Sequence, residues 1–208
     1  MIQISIDTDM YNRIVEAIKR LEKSEESVFK SAVNNTAKKA QKKLAQQAKS
    51  IYGGGAPKGI LGRSSIDKAS VKNTSVQILF RSEQHRLNSF RVNKAGMTTT
   101  PIWKNGKRKK ITVRAAQLKN GRLKALSNAF SINAPNGKDL LVVRIGGGKT
   151  KGHKANEWGY DKVKALMGSS DKVMVQNEKV YGAVSDDIGE LLQQECQKAL
   201  DKALEKGK

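Results

Sequence analysis

Cysteine is almost missing from this chain. The one thiol, Cys196, can close no intrachain disulfide and cannot build a cysteine-ligated zinc site. Histidine is nearly as scarce. His85 and His153 are the whole complement, which makes histidine-based metal binding or acid–base catalysis an improbable role from the outset. Aromatic side chains make up 5% and hydrophobic ones 38% of 208 residues, both low for a compact globule. The expected core is therefore thin, and part of the fold is expected to be held by neighbouring molecules. The apolar runs are short and interrupted by charge, so no segment is expected to span a membrane. The opening MIQISIDTD has neither the basic region nor the apolar stretch of a signal peptide, which places the expected protein in the cytoplasm, or in a particle assembled there.

Charge of one sign is abundant. Lys and Arg total 40 against 19 Asp and Glu, a formal net charge of +21. Its distribution is uneven. Between Ser27 and Ile66 there are eight basic residues and no acid, and between Gln84 and Lys138 there are thirteen and again no acid. The span 27–138 holds 24 basic residues against Asp67 and Glu83, a net of +22, while the two flanks together come to −1. The whole excess thus lies in the middle of the chain, and it points to a polyanion or an acidic protein surface as partner.

Helical and extended patterns alternate along the chain. Ile2, Ile4 and Ile6 alternate as in a short half-buried strand. Asp7 and Thr8 offer caps for a helix over 9–23. Ser24, Glu25 and Glu26 open a second helix, since acids suit the positive end of the helix dipole. Over about 25–51, Phe29, Val33, Ala37, Ala40, Leu44, Ala48 and Ile51 step by 4, 4, 3, 4, 4 and 3, the clearest period in the chain. That stripe is mostly alanine, so it allows close approach while burying little area alone. Lys38, Lys39, Lys42, Lys43 and Lys49 cover the rest, and Gly53–Gly55 end the helix. Residues 56–68 read as a loop, and 70–80 as a strand with Val76, Ile78 and Phe80 on one face. Asn-Gly then recurs at 105–106, 120–121 and 136–137. That dipeptide is the strongest short hairpin signal, because a type I′ turn needs positive φ at both central positions. Three such turns predict an antiparallel meander with strands near 98–104, 108–118, 122–134 and 139–145. The first hairpin has little apolar surface beyond Ile102 and Trp103 and is expected to protrude and to be mobile until bound. GGGKTKGHK after Ile145 reads as a loop, followed by a short helix at 160–167 and strands at 172–176 and 179–183. Ser185, Asp186 and Asp187 cap a last helix to about 205, with Ile188, Leu191, Leu192, Cys196 and Ala199 on its apolar face and Glu195 as a charged interruption.

Each chemical motif has a plainer explanation, with one exception. Gly146–Thr150 resembles a phosphate loop, but the first glycine of that motif would fall at Val143, so a glycine-rich surface loop is the better reading. His153 would need an orienting carboxylate, and Glu157 is the only near candidate. His85 reads as a surface or sheet residue and Cys196 as core. Helix capping accounts for Asp186, Asp187 and Glu190 without a metal. The exception is the cluster Lys104, Lys107, Arg108, Lys109, Lys110 and Arg114 around one turn beside Trp103. Such cations bind phosphates as point charges and release counterions. Nothing nearby resembles a base-reading helix or an RNA-binding sheet motif, so a nucleic-acid contact would be independent of sequence. Docking onto an acidic protein ring or tube would use the same charges.

Four blocks in order resemble the minor tail protein Z family of tailed phages and prophages, a tail completion component. The first is AVNNTAKKAQKKLAQQAKSIYGGGAPKGIL, with Asn34, Asn35, Thr36 and Ala37 in an Ala-rich helix that leads to Tyr52 and a basic loop. The second is IDKASVKNTSVQILFRS followed by RLNSFRV, with Phe90 after a basic stretch. The third is LSNAFSI, with Ala129 and Phe130, then NGKDLLVVRIG. The fourth is VKALMGSS, similar to a Leu-x-Gly-x-Ser element, followed by Met174 and a final helix. Tyr160–Val163 stands where the family often carries Arg-Leu-Pro-Ile, and 146–152 has extra glycine. The resemblance covers about 27–208 and implies a non-enzymatic virion protein at the head-proximal end of a phage tail or tail-like particle. It further implies a homo-oligomeric ring, a hexamer by tail symmetry, that meets tail tube, terminator, neck or collar proteins.

The expected fold is α+β: long N-terminal helices, an antiparallel β-meander with a protruding basic hairpin, and a C-terminal helix. A chain of this length fits one domain with extensions or two small ones at most, and a single domain over 1–208 is expected. Its parts are a strand and helices over 1–55, an antiparallel sheet over 69–183 with the basic hairpin at about 94–118, and the last helix over 185–205. The expected contact residues for an acidic partner or a DNA backbone are Lys104, Lys107, Arg108, Lys109, Lys110 and Arg114. No cofactor, metal or membrane is expected. A free, non-sequence-specific nucleic-acid-binding protein is the alternative function.

Overall fold

The computed structural model describes residues 2–4, 8–9, 12, 15, 25–52, 59–70, 72–93, 103–104, 107–108, 111–133, 139–145 and 163–205. The fold is α+β, with helices near both ends of the described chain and small antiparallel sheets between them. The chain forms two compact units. One comprises residues 1–50, 57–83 and 170–208, and the other 51–56 and 84–169. We call them the helical unit and the basic unit.

The helical unit is built on α1 (Glu25–Ile51). Its boundaries match the expected ones, and Phe29, Val33, Ala37, Ala40, Leu44 and Ala48 are all buried. Thr36 also lies in the stripe, and its hydroxyl donates to the Ala32 carbonyl at 2.9 Å, so no polar atom is stranded there. Beside α1 lies a sheet of β1 (Ile2–Ile4), β2 (Ser64–Asp67) and β3 (Val76–Phe80) in the order β1-β3-β2. Both pairings are antiparallel, with Ile2 and Ile66 each opposite Ile78. Val76 and Ile78 are buried and Phe80 is half-buried, as the alternation predicts. Strand β2 corrects the loop expected at 56–68. Its Ser64-Ser65 start has no apolar alternation, and pairing to β3 makes it a strand. The Asn34 side chain clamps the chain just after β2, donating to the Ala69 carbonyl at 3.3 Å and accepting from the Ala69 N–H at 2.9 Å. Of the helix expected at 9–23, nearly all lies outside the described residues.

The basic unit holds shorter strands. They are β4 (Gln84–Arg86), β5 (Arg91–Val92), β6 (Trp103–Lys104), β7 (Lys107–Arg108), β8 (Arg114–Ala116), β9 (Lys124–Ala125), β10 (Ala129–Asn133), β11 (Asp139–Arg144), β12 (Val163–Ala165) and β13 (Met167–Ser170), whose last residue falls in the helical unit. The expected hairpins are present, but they fall into separate sheets ordered β5-β8-β9, β6-β7 and β10-β11-β12. The expected strand 122–134 breaks because Asn128 sits in the left-handed region at φ 57°, which asparagine tolerates better than most residues. The turn between β8 and β9 spans Leu118–Gly121, and the Gly121 N–H donates to the Leu118 carbonyl at 3.1 Å. Asn-Gly therefore marks the turn without filling its two central positions, which are Lys119 and Asn120.

Residues 163–184 depart most from expectation. The helix expected at 160–167 is β12 and β13, and the strands expected at 172–176 and 179–183 are α2 (Asp171–Gln176) and α3 (Glu178–Tyr181). The β-branched residues Val173, Val175 and Val180 favour strand. Side-chain caps override that preference: Ser170 accepts from the Val173 N–H at 3.4 Å and Asn177 from the Lys179 N–H at 3.0 Å. The last helix, α4 (Ser185–Glu205), lies where its caps and period place it, with Ile188, Leu192 and Cys196 buried.

Candidate anionic-partner surface

In the basic unit, 19 Lys and Arg stand against three acids, Asp139, Glu157 and Asp161, a net of +16. The helical unit holds 21 basic and 16 acidic residues, a net of +5. Three quarters of the excess charge thus belongs to one compact body.

Of the six residues expected to contact an anionic partner, Lys104, Lys107 and Arg108 lie on the β6-β7 hairpin. It pairs Trp103 with Arg108 and Lys104 with Lys107, and Asn105 and Gly106 between them in sequence lie outside the described residues. Arg114 is exposed on β8, and its backbone is pinned from both sides by Asn93: the Arg114 N–H donates to Asn93 Oδ1 at 2.7 Å, and its carbonyl accepts from the Asn93 N–H at 3.0 Å. Lys109 and Lys110 lie outside the described residues, as do Gly146–Thr150 and His153.

A second group of cations lies on β8, β9 and their connection. Arg114 faces Ala125 and Ala115 faces Lys124, so Arg114 and Lys124 project from opposite faces of the ladder, and the connection adds Lys119 and Arg122. All four are exposed. On the other side of β8, Arg91 faces Ala116 and its guanidinium donates to the Lys119 carbonyl at 2.6 Å. That bond ties β5 to the tip of the hairpin. The sequence signal for this group was the Asn120-Gly121 turn, although the acid-free run alone does not separate these cations from their neighbours.

Beneath this surface, small and aromatic residues set the strand positions. Ala115 and Ala116 are buried, as are Tyr52, Leu87, Phe90 and Val113. Tyr52 bridges to Leu118, and the Lys119 N–H donates to the Ile51 carbonyl at 2.8 Å. The Phe90 ring lies against the backbone of Gly168, where any β-carbon would overlap it. Ser169 next to it is held by Gln117, which accepts from the Ser169 N–H at 3.0 Å and its hydroxyl at 2.5 Å. The Leu-x-Gly-x-Ser element and Phe90, two separate blocks of the resemblance, thus meet in space.

The remaining candidates are structural. His85 is half-buried with its ring edge-on to Phe90 at 6.2 Å. Cys196 is buried in α4. Among the described residues no group of three His, Cys, Asp or Glu could hold a metal, and no helix is long and apolar enough to cross a membrane. A surface pocket of about 210 Å³ in the helical unit is lined by Arg63, Ser64, Ser65 and Phe80 among others. It is small for a cofactor. Its one half-buried cation, Arg63, is committed to the fully buried Asp171, with Nε 3.2 Å from Oδ2, so this is a structural ion pair at the start of α2. The interruption on α4 is also explained. Glu195 is buried and meets Lys39 of α1 at 2.6 Å and Lys198 at 3.6 Å. The hydrogen bond from Lys39, then the nearby positive charges, hold its carboxyl below the usual glutamate range against the opposing effect of burial.

No protein-family model matches this chain, and no curated protein or solved structure shows significant similarity to it.

Proposed function

We propose that this chain is a structural virion protein that completes the head-proximal end of a phage tail, or of a tail-like particle, and helps join it to the neck or collar. It acts by assembly rather than catalysis. The helical unit supplies a stiff subunit body, and copies of the chain form a ring, a hexamer by tail symmetry. The basic unit meets an acidic tail, terminator or neck surface, or the end of the genomic DNA, with Lys104, Lys107, Arg108, Lys109, Lys110 and Arg114 in contact. The observation that carries this reading is the division of charge, +16 in one unit and +5 in the other. A body so short of acids repels itself and is relieved by a fixed anionic neighbour. The meeting of Phe90 with Gly168 adds support, because residues that carry the resemblance are in contact rather than scattered. Permanent interfaces commonly bury upward of ~2,000 Å², which would complete a thin core.

The same charge favours a second reading, a free protein that binds nucleic acid without sequence preference. Size-exclusion chromatography with light scattering, run at several salt concentrations with and without tail components, separates the two. The first reading expects a ring or a stable complex with tail components. A persistent monomer that ignores those components and binds nucleic acid would establish the second. Replacing Lys107, Arg108, Lys109 and Lys110 by Gln is expected to leave folding intact and to weaken assembly. Undiminished assembly would show that the β6-β7 hairpin is only a solvated charge.

A further inference from the structure

We infer that the β8-β9 hairpin, with Arg91 beside it, is a binding surface for the phosphate backbone of a double-stranded nucleic acid. The inference rests on the proposed function in that it names the anionic partner of the basic unit. It enlarges the contact set by Arg91, Lys119, Arg122 and Lys124, which sequence reasoning left ungrouped.

The register puts Arg91, opposite Ala116, and Arg114 on one face of the ladder and Lys124, opposite Ala115, on the other, so the ribbon carries cations on both faces and, with Lys119 and Arg122, at its connection. At ~3.4 Å rise per residue, the stretch from Arg114 to Leu118, where the turn begins, covers at most about 14 Å. A duplex presents one negative charge per ~1.7 Å of its axis, so such a stretch can follow several phosphates at once. Arg91 fixes the tip through its bond to the Lys119 carbonyl, which orders the connection before a partner arrives.

The surroundings favour a duplex over the other polyanions. Protein–protein interfaces have an apolar centre in which lysine is depleted, whereas nucleic-acid interfaces are strongly positive and polar. None of the large hydrophobic side chains exposed among the described residues lies between Arg114 and Lys124. Single strands are held by stacking bases on aromatic rings. No aromatic residue occurs from Ile111 to Ala129, and Tyr52 and Phe90 are buried. What remains is a cationic ribbon without stacking platforms or an apolar patch, suited to a backbone whose bases are already paired.

The test uses the full chain and fluorescence anisotropy with labelled 30-base-pair DNA duplexes of two unrelated sequences, a matching RNA duplex, the DNA single strand and polyglutamate, each from 50 to 300 mM salt. Equal affinity for both DNA sequences is expected, and weaker binding of single strand and polyglutamate; the RNA arm shows whether the shared phosphate chemistry or DNA geometry is read. At about 0.9 per phosphate, the triple variant Lys119→Gln/Arg122→Gln/Lys124→Gln should reduce the log–log salt slope by about 2.7, and duplex affinity at 0.1 M salt on the order of 10²-fold. The triple variant Lys119→Arg/Arg122→Lys/Lys124→Arg should keep the slope. Replacing the exposed Lys30, Lys38 and Lys42 of α1 by Gln should change affinity far less. An unchanged slope in the first triple variant, an equal loss in the α1 variant, or tighter binding of polyglutamate than of duplex overturns the inference. A protein that joins tail components but ignores duplexes sinks this inference alone. One that binds duplexes through the hairpin and never assembles keeps it and sinks the tail reading.

Discussion

In the helical unit cations face acids: Lys39 meets Glu195 at 2.6 Å, Lys43 meets Asp187 at 2.7 Å, and Arg63 meets the buried Asp171 at 3.2 Å. All the ion pairs resolved between described residues lie in this unit. In the basic unit three acids share 19 cations, so internal neutralisation is impossible whatever the side chains do. The cores differ in the same direction. Of the eleven largest fully buried side chains among the described residues, eight belong to the helical unit and only Val113, Leu141 and Val142 to the basic one. One unit is thus built to hold itself together by burial and paired charge. The other holds short strands by close backbone contacts and carries an excess of positive charge that its own acids cannot balance. The division of labour can be broken from either side.

The largest effect is expected at Phe29. It is 1% exposed on α1, and Phe29→Ala should cost about 4 kcal/mol by lost transfer free energy and an unfilled cavity. Chemical denaturation followed by far-ultraviolet circular dichroism checks this, since α1 and α4 dominate the signal. A cost below about 1 kcal/mol would show that α1 draws its stability from elsewhere. In the basic unit the sensitive point is tighter rather than larger. Gly168→Ala drives a methyl into the Phe90 ring and should cost about 3 kcal/mol, near the top of the range for overpacking. Phe90→Leu in the same chain should recover part of that loss, because residues in contact are not additive. A Gly168→Ala protein as stable as the parent would mean that Phe90 can move aside, and that the basic unit is more loosely held than its contacts imply.

How much could be read in advance follows the same line. The two long helices were legible to the residue because their apolar steps and their first-turn acids agree. Each of the three Asn-Gly dipeptides falls, in sequence, between two strands that pair. At Asn120-Gly121 the close approach of Gly121 to Leu118 sets the turn, a detail that dipeptide counting cannot supply. Residues 171–183 were misread because valines favour strand, whereas Ser170, Asn177 and the burial of Asp171 against Arg63, 108 positions earlier, make helices. Pairs that far apart leave no local trace. The cationic site was half legible. A run such as Lys104–Arg114 shows in the sequence, but that Arg91 and Arg114 share a face while Lys124 takes the other depends on which rungs face each other.

Smaller effects come from the ion pairs, and they test whether burial or charge alone makes the helical unit self-sufficient. Glu195 and Asp187 lie on the same helix, and each meets a lysine of α1, but their side chains are 8% and 50% exposed. Glu195 titrates below its ordinary 4.5 in the folded state. A lowered carboxylate stabilises the fold fully above its unfolded value and loses that contribution as pH falls through the folded value. Stability should therefore be flat near neutrality, begin to decline as pH drops past about 4.5, and keep declining below it. Glu195→Gln should remove the part of that decline due to this residue and cost about 1–2 kcal/mol at pH 7, less than a fully buried pair because Lys39 is 46% exposed. Asp187→Asn breaks a pair of nearly equal length in solvent and should cost no more than about 0.5 kcal/mol, most of it screened by 0.5 M salt. Thermal melts of both variants from pH 3 to 7 give the contrast. If the two proved equal, pairing rather than burial would set the stability of the α1–α4 link, and the helical unit would depend on ionic strength as the basic unit's binding is expected to.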